Sequence, residues 1–223
     1  MNYKKIICFA PHPDDETIGM GGTLLKMSKQ RCKIDLVNFT RPDSNYPKID
    51  IYLKNLKLIQ NKISKVYNLN KIINLKYIST KVDQYPKAEL VKNISKILIK
   101  GKYDTVFIPF IHDIHTDHQI ISKSVLSSVK SFNNKYVKKV MMYETLSETN
   151  FNFLTSFTPN HFEDISRFLK KKLGTSKFYK TEIFKHPHPR SLIAIKSLSI
   201  LRGSQSGYNY AEAFSIVYSK NGF

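Results

Sequence analysis

Residues 4–30 read KKIICFAPHPDDETIGMGGTLLKMSKQ. The run KKIICFA (4–10) is short, apolar and stopped by a proline, the pattern of a buried strand. Residues 18–30 bring Leu24, Leu25 and Met27 to one side, the spacing of a helix. Between them lies PHPDDE (11–16), with His12 held between two prolines and Asp14, Asp15 and Glu16 in a row. A strand, a tight turn and a helix make the opening of an α/β fold. The three acids are unexpected, because the chain's formal net charge is +19.

The pattern continues outward from this unit. Strands are expected at 33–40, 72–78, 104–109 and 136–143, and helices at 49–66, 88–100 and 119–131. Strict alternation predicts an α/β, Rossmann-like fold: a mostly parallel sheet with helices on both faces. The last third is less regular. Helices are expected at 161–172 and about 189–201, and a late strand at 213–218, all packed onto the first two thirds. With 223 residues and no linker or repeat, the expectation is a single domain over 1–223.

Composition narrows the function classes. No run of 18 apolar residues exists, so no membrane-spanning segment is expected. The N-terminal apolar run is short and leads into charge, unlike a signal peptide, and a cytoplasmic location is expected. Cys8 and Cys32 fall within strand sequence and read as reduced, buried thiols. The positive charge comes from lysines scattered along the chain, with only five arginines, and no nucleic-acid-binding signature accompanies it. It reads first as a solvated surface. Its functional alternative is attraction to an anionic substrate or a peripheral membrane contact.

In open α/β sheets ligands bind beyond the carboxyl ends of the strands, where strand order reverses. In the common orders strand one neighbours strand four there. That brings the turn 11–16 to the loop 110–119, FIHDIHTDHQ. The first offers His12, Asp14 and Asp15; the second offers His112, Asp113, His115, Asp117 and His118. Acids at a helix start also complement the helix dipole, and one loop histidine is unremarkable. Both clusters together favour a metal site. Three protein ligands with an open position suit Zn²⁺, and Fe²⁺ or Mn²⁺ are compatible with imidazole and carboxylate. Such a metal lowers the pKa of a bound water to about 7, and a spare carboxylate can accept its proton. The glycines of GMGG (19–22) fail the dinucleotide fingerprint, since no glycine stands at 24 and the turn is acidic where phosphate would bind. They are read as close-packing positions.

PHPDDE (11–16) followed by HTDH (115–118) resembles the zinc-dependent de-N-acetylases of the LmbE / PIG-L type. TPNHFEDIS (158–166), HPRS (188–191) and RGSQSGYNYAEAF (202–214) add matches to one bacterial branch. The resemblance implies hydrolysis of an N-acetyl group on an amino sugar or sugar conjugate, such as N-acetylglucosamine. It implies His12, Asp15 and His118 as metal ligands and Asp14 as general base. His115 would stabilise the oxyanion or protonate the leaving amine, and Asp117 would hold His115 and favour its protonated form. Arg41, Arg190 and Tyr210 are candidate substrate contacts, Arg190 with a plain helix-start reading beside it. Some relatives carry a tyrosine where Asp113 stands, so that oxyanion donor is vacant or replaced. The competing readings are an amidohydrolase of a non-sugar N-acyl metabolite and a non-catalytic sugar- or nucleotide-binding protein. The sequence leaves the oligomeric state open.

Overall fold

The structure is a computed structural model and describes residues 3–220. Among these described residues seven strands form one sheet: β1 (Lys5–Ala10), β2 (Lys33–Arg41), β3 (Lys71–Ile78), β4 (Thr105–Pro109), β5 (Lys139–Tyr143), β6 (His161–Asp164) and β7 (Ala211–Ser219). Six α-helices accompany them: α1 (Asp15–Lys29), α2 (Ile49–Tyr67), α3 (Lys87–Gly101), α4 (Thr116–Ser128), α5 (Leu169–Ser176) and α6 (Leu192–Ser206). The sheet order is β3-β2-β1-β4-β5-β7-β6. β1 to β5 are parallel; β7 runs antiparallel to β5, and β6 antiparallel to β7. Strand order reverses between β1 and β4, as the alternation of elements predicts.

Period-2 alternation along β1 explains the layers. Ile6, Cys8 and Ala10 enter a core shared with Met20 and Leu24 of α1 and Ile63 and Tyr67 of α2. Ile7 and Phe9 point the other way, against Leu90, Ile94 and Leu98 of α3 and Ile121 and Val125 of α4. Both faces of the strand are buried, so its sequence reads as a continuous apolar run. The close-packing reading of GMGG agrees with the structure. A Cβ at Gly19 would overlap the Tyr143 ring, and one at Gly22 would lie 2.7 Å from Ile165 Cγ2.

The helix expected over 161–172 is corrected. His161–Asp164 instead pair with β7 as a sheet edge, from His161 opposite Phe214 to Asp164 opposite Ala211. The helix begins only at Leu169. Phe162, Ile165 and Leu169 carry helical spacing, but the unpaired edge of β7 is what the segment meets, and tertiary pairing overrides local pattern. Elsewhere the expected elements are present with shifted ends: α1 begins at Asp15, α4 at Thr116 and β5 at Lys139.

Candidate metal centre and active site

The turn 11–16 is fixed from both sides. The Pro11 carbonyl accepts from Thr40 N (3.0 Å) and Thr40 Oγ1 (2.8 Å), which ties it to the end of β2. His12 N donates to Asp15 Oδ2 (2.8 Å), so the backbone itself aims the carboxylate. Asp14 takes φ 148°, ψ −28°, a conformation that costs a non-glycine residue about 1–3 kcal/mol. Its carbonyl accepts from Thr17 N and Ile18 N, both at 2.9 Å, which holds the strained turn as the start of α1. Across the switch point, His115 caps α4: its Nδ1 accepts from Asp117 N (3.1 Å).

These two loops converge. His12 Nδ1, Asp15 Oδ2 and His118 Nε2 lie 3.3–3.4 Å from one another. Tetrahedral ligands at bond lengths of about 2.0–2.1 Å stand about 3.3–3.4 Å apart, so the triangle fits such an ion. Asp15 Oδ1 is buried and has no hydrogen-bond partner among the described residues, a costly state for a carboxylate oxygen unless a cation completes it. The donor set of two imidazoles and one carboxylate suits a divalent transition metal. His12, His115 and Asp117 also lie within reach of a shared ion.

The surrounding charges are tightly matched. Burial opposes a charge on His118, but Asp15 and Asp113 outweigh it and push its pKa up to about 10. Burial likewise opposes His12, and Asp117 and Asp15 raise it to about 9. Asp15 is itself buried, yet the two histidines hold it well below the usual carboxylate range. Asp14 differs: burial, then the Asp15 charge, push it up against the pull of Arg190. His115 is lowered by burial and by the neighbouring His12 and His118.

Asp117 departs from expectation. Its carboxylate contacts His12 Nε2 (3.1 Å) and accepts from Thr80 N (2.8 Å), not from His115. Only its backbone N–H meets His115, at Nδ1. A proton on that nitrogen would set two donors face to face, so the contact favours neutral His115 with its hydrogen on Nε2. The expectation that the Asp117 carboxylate holds His115 is therefore corrected: its charge still favours the protonated form, but burial and the neighbouring His12 and His118 outweigh it.

Asp14, His115, Arg41 and Arg190 line one cavity of about 250 Å³ together with His12, Tyr46 and Tyr52. Arg190 lines this cavity with most of its N–H groups engaged by the protein. Its guanidinium bonds Asp14 Oδ2 (2.8 Å), Glu148 Oε1 (3.1 Å), Glu182 Oε2 (3.2 Å) and Ser147 Oγ (2.7 Å). The bond to Asp14 Oδ2 ties that carboxylate to the segment before α6. Tyr210 lies outside the cavity lining. It precedes β7, and β5 separates that strand from β4; its carbonyl accepts from Ile165 N (3.0 Å). Arg202 and Glu212 brace the fold: Arg202 forms a bidentate pair with Glu144, and Glu212 bonds α1.

Sequence reasoning left Asp113 without a task. Its Oδ2 lies 2.8 Å from His118 Nδ1, and its Oδ1 accepts from Thr149 Oγ1 (2.6 Å). This is the carboxylate–histidine arrangement that orients a metal ligand and fixes its tautomer. Position 113, five residues before His118, was the available signal. Glu148 and Glu182, which share Arg190, sit in segments without periodic pattern and gave none.

Residues 7–129, more than half of the chain, match the family described as PIG-L: GlcNAc-PI de-N-acetylase. The chain is 23% identical over 228 residues to the diacetylchitobiose deacetylase of Thermococcus kodakarensis, spanning 96% of this chain and 83% of that protein. The solved structure of N,N'-diacetylchitobiose deacetylase from Pyrococcus horikoshii superposes with a TM-score of 0.79 at 23% identity, over 97% of this chain and 85% of that one. The 4-carboxy-2-hydroxymuconate hydratase of Pseudomonas putida superposes with a TM-score of 0.75 at 12% identity, over 99% and 98%. The two structural likenesses show a shared fold. Since one of them is a hydratase, the chemistry has to be argued from the site.

Proposed function

The chain belongs to the PIG-L family of de-N-acetylases, and from that premise we propose that it hydrolyses the N-acetyl amide of an amino sugar or amino-sugar conjugate. The observation that carries this reading is the triangle of His12, Asp15 and His118, with Asp14 and His115 lining the same cavity. His12, Asp15 and His118 would hold a divalent metal, Zn²⁺ by donor set, with Fe²⁺ or Mn²⁺ compatible. Bound there, the metal would supply Lewis acidity towards water and the amide carbonyl.

The chain's own groups then divide the proton work. Asp14 removes a proton from the attacking water, and Arg190 holds its carboxylate in place for that transfer. The neutral His115 donates a hydrogen bond from Nε2–H to the carbonyl oxygen as negative charge develops on it. Asp14 returns its proton to the sugar nitrogen as the C–N bond breaks. The products are acetic acid and the free amine, which at neutral pH separate as acetate and the ammonium, so atoms and protons balance. Asp113 keeps His118 oriented from behind, and Asp117 does the same for His12.

The test is release of primary amine from free N-acetylglucosamine, diacetylchitobiose and N-acetyl amino acids by the metal-loaded protein. Asp14→Asn should lower turnover by at least about 100-fold while metal binding persists. Release from amino acids alone would replace the sugar reading with a non-sugar amidohydrolase. Full activity in Asp14→Asn would remove Asp14 from the mechanism.

A further inference from the structure

The cavity before His12 does not end at Arg41. Thr40 and Arg41, at the end of β2, also line a second cavity of about 520 Å³, bounded by α2 and β3. Its lining differs in charge from the first. Arg41, Lys57 and Lys76 are present and no carboxylate is, whereas Asp14 and Glu182 share the first cavity with Arg190. The polar amides in the wall are spent on one another: Gln60 Nε2 donates to Asn74 Oδ1 (2.9 Å), and Asn38 Nδ2 donates to the same oxygen (3.2 Å). The cations are not spent. Arg41 Nε is buried with no hydrogen-bond partner among the described residues. Burying a guanidinium N–H without an acceptor is unfavourable unless a ligand supplies one.

The backbone adds an independent observation. β2 and β3 lose register between Asn38 and Thr40: Asn38 pairs with Asn74, but Thr40 pairs with Tyr77. The extra residue on β3 is a bulge, and Lys76 within it takes φ 64°, a left-handed conformation that a lysine adopts at a cost. Bulges beside functional sites re-aim side chains. This one places Lys76 in the lining with Arg41 and Lys57.

We propose that Arg41, Lys57 and Lys76 form a subsite for a phosphate group carried by the substrate, so that the preferred substrate is a phosphorylated N-acetyl amino sugar. The inference rests on the deacetylase reading and names its substrate class. A phosphate carries about −1.5 to −2 charge and presents several acceptor oxygens, which suits three converging cations better than a single carboxylate does. The planar fork of Arg41 suits bidentate contact with it. Because the two cavities meet at Arg41, the acetamide can reach His115 while the phosphate lies against β3 and α2.

The deciding experiment is isothermal titration of the metal-free protein with N-acetylglucosamine, N-acetylglucosamine 1-phosphate and uridine-diphosphate N-acetylglucosamine. At least one phosphorylated sugar is expected to bind about tenfold or more tightly than the neutral one, by about 1.4 kcal/mol, and whichever is tighter identifies a terminal phosphate or a diphosphate linkage. Lys57→Gln/Lys76→Gln should collapse that ratio towards one, and Lys57→Arg/Lys76→Arg should keep it. Both lysines are exposed, so neither pair threatens folding. Equal affinity for charged and neutral sugars, or a ratio indifferent to the double Gln variant, overturns the subsite. The kcat/KM ratio of the metal-loaded enzyme separates the two readings. Deacetylation of neutral sugars without phosphate preference would leave the function and remove the subsite. Lysine-dependent binding of the phosphorylated sugar without any amine release would do the reverse.

Discussion

Asp113 shows how much of this site rests on groups that need not touch substrate. His118 is fully buried, and its Nδ1 lies 2.8 Å from Asp113 Oδ2. That contact holds a hydrogen on Nδ1, so a bound metal has to displace only the Nε2 proton, which faces Asp15 and His12. Asp113→Asn keeps an acceptor and the shape but removes the charge, and Thr149 Oγ1 can adjust to the new amide. The variant should fold and bind metal about 10- to 100-fold more weakly, read by competition against a chelator. An affinity within twofold of the parent would reduce Asp113 to a packing group. His12, Asp15 and His118 stood out in the sequence as members of two acid- and histidine-rich motifs, but spacing could not choose among the histidines, and the ligand assignment rested on the family resemblance. The task of Asp113 was not legible, since a five-residue gap crossing from loop to helix carries no fixed geometry. The direction of Asp117 was hidden for a related reason. Its N–H is committed to the His115 cap, and its carboxylate finds Thr80 N, an atom contributed by the loop after β3.

At the scale of elements, α1 depends on a strand far away in sequence. Met20 is non-helical at φ −141°, so the helix is kinked and the N–H groups after the kink need other acceptors. Glu212 of β7 supplies them, accepting from Gly22 N (2.8 Å) and Thr23 N (2.6 Å). The same carboxylate pairs with buried Lys172 of α5 at 2.6 Å. Glu212→Ala would strand a buried ammonium and two N–H groups, and should destabilise by about 3–5 kcal/mol, measured by urea unfolding. A loss under about 1 kcal/mol would mean that water replaces the carboxylate at little cost. Glu163 of β6 ties the sheet edge to the same helix through Lys26 (2.6 Å) and accepts from Tyr3 Oη (2.9 Å). Burial alone would raise its pKa, but His161 and then Lys26 prevail and hold it at about 2, below the ordinary 4.5. A depressed carboxylate contributes stability above its unfolded pKa and loses it as pH falls through the folded one. Glu163 should therefore contribute on the order of 1–3 kcal/mol above pH 4.5, lost between pH 4.5 and 2. Glu163→Gln should flatten that part of the stability profile; an unchanged profile would assign the acid loss to other groups. The strand carrying Glu163 was misread as helix because its four residues are justified by their pairing with β7, which local spacing does not encode.

For the whole molecule, a mostly parallel sheet with β1 beside β4 was legible because β1, β2, β4 and β5 are apolar on both faces and the crossover helices keep an apolar stripe, whereas β3 at the edge is only partly buried. That order alone brought the acidic turn and the histidine loop together. The antiparallel β7 and β6 were less so, since nothing in AFSIVY specifies its direction. The charge of +19 acts at this scale too. Several carboxylates are drawn inward to the site, to Arg190, Lys172 and Lys26, which leaves a lysine-rich exterior. A surface dominated by one sign repels itself in the folded state more than in the expanded chain. Added salt screens that repulsion, shortening the Debye length from about 30 Å at 0.01 M to about 8 Å at 0.15 M. The same salt weakens exposed pairs such as Lys81–Asp43, but pairs of that kind contribute little to stability. Buried pairs are screened far less, so the relief of repulsion should outweigh what the ion pairs lose. Moving from 10 mM to 150 mM potassium chloride should therefore raise Tm, by about 2–4 °C for each kcal/mol of repulsion removed at this size. Chloride is the suitable anion, because sulfate or phosphate would also report on the cavity at Arg41. A Tm that falls with chloride would mean that surface ion pairs outweigh the net charge. The scattered lysines would then have to be regarded as locally compensated rather than as a general positive field.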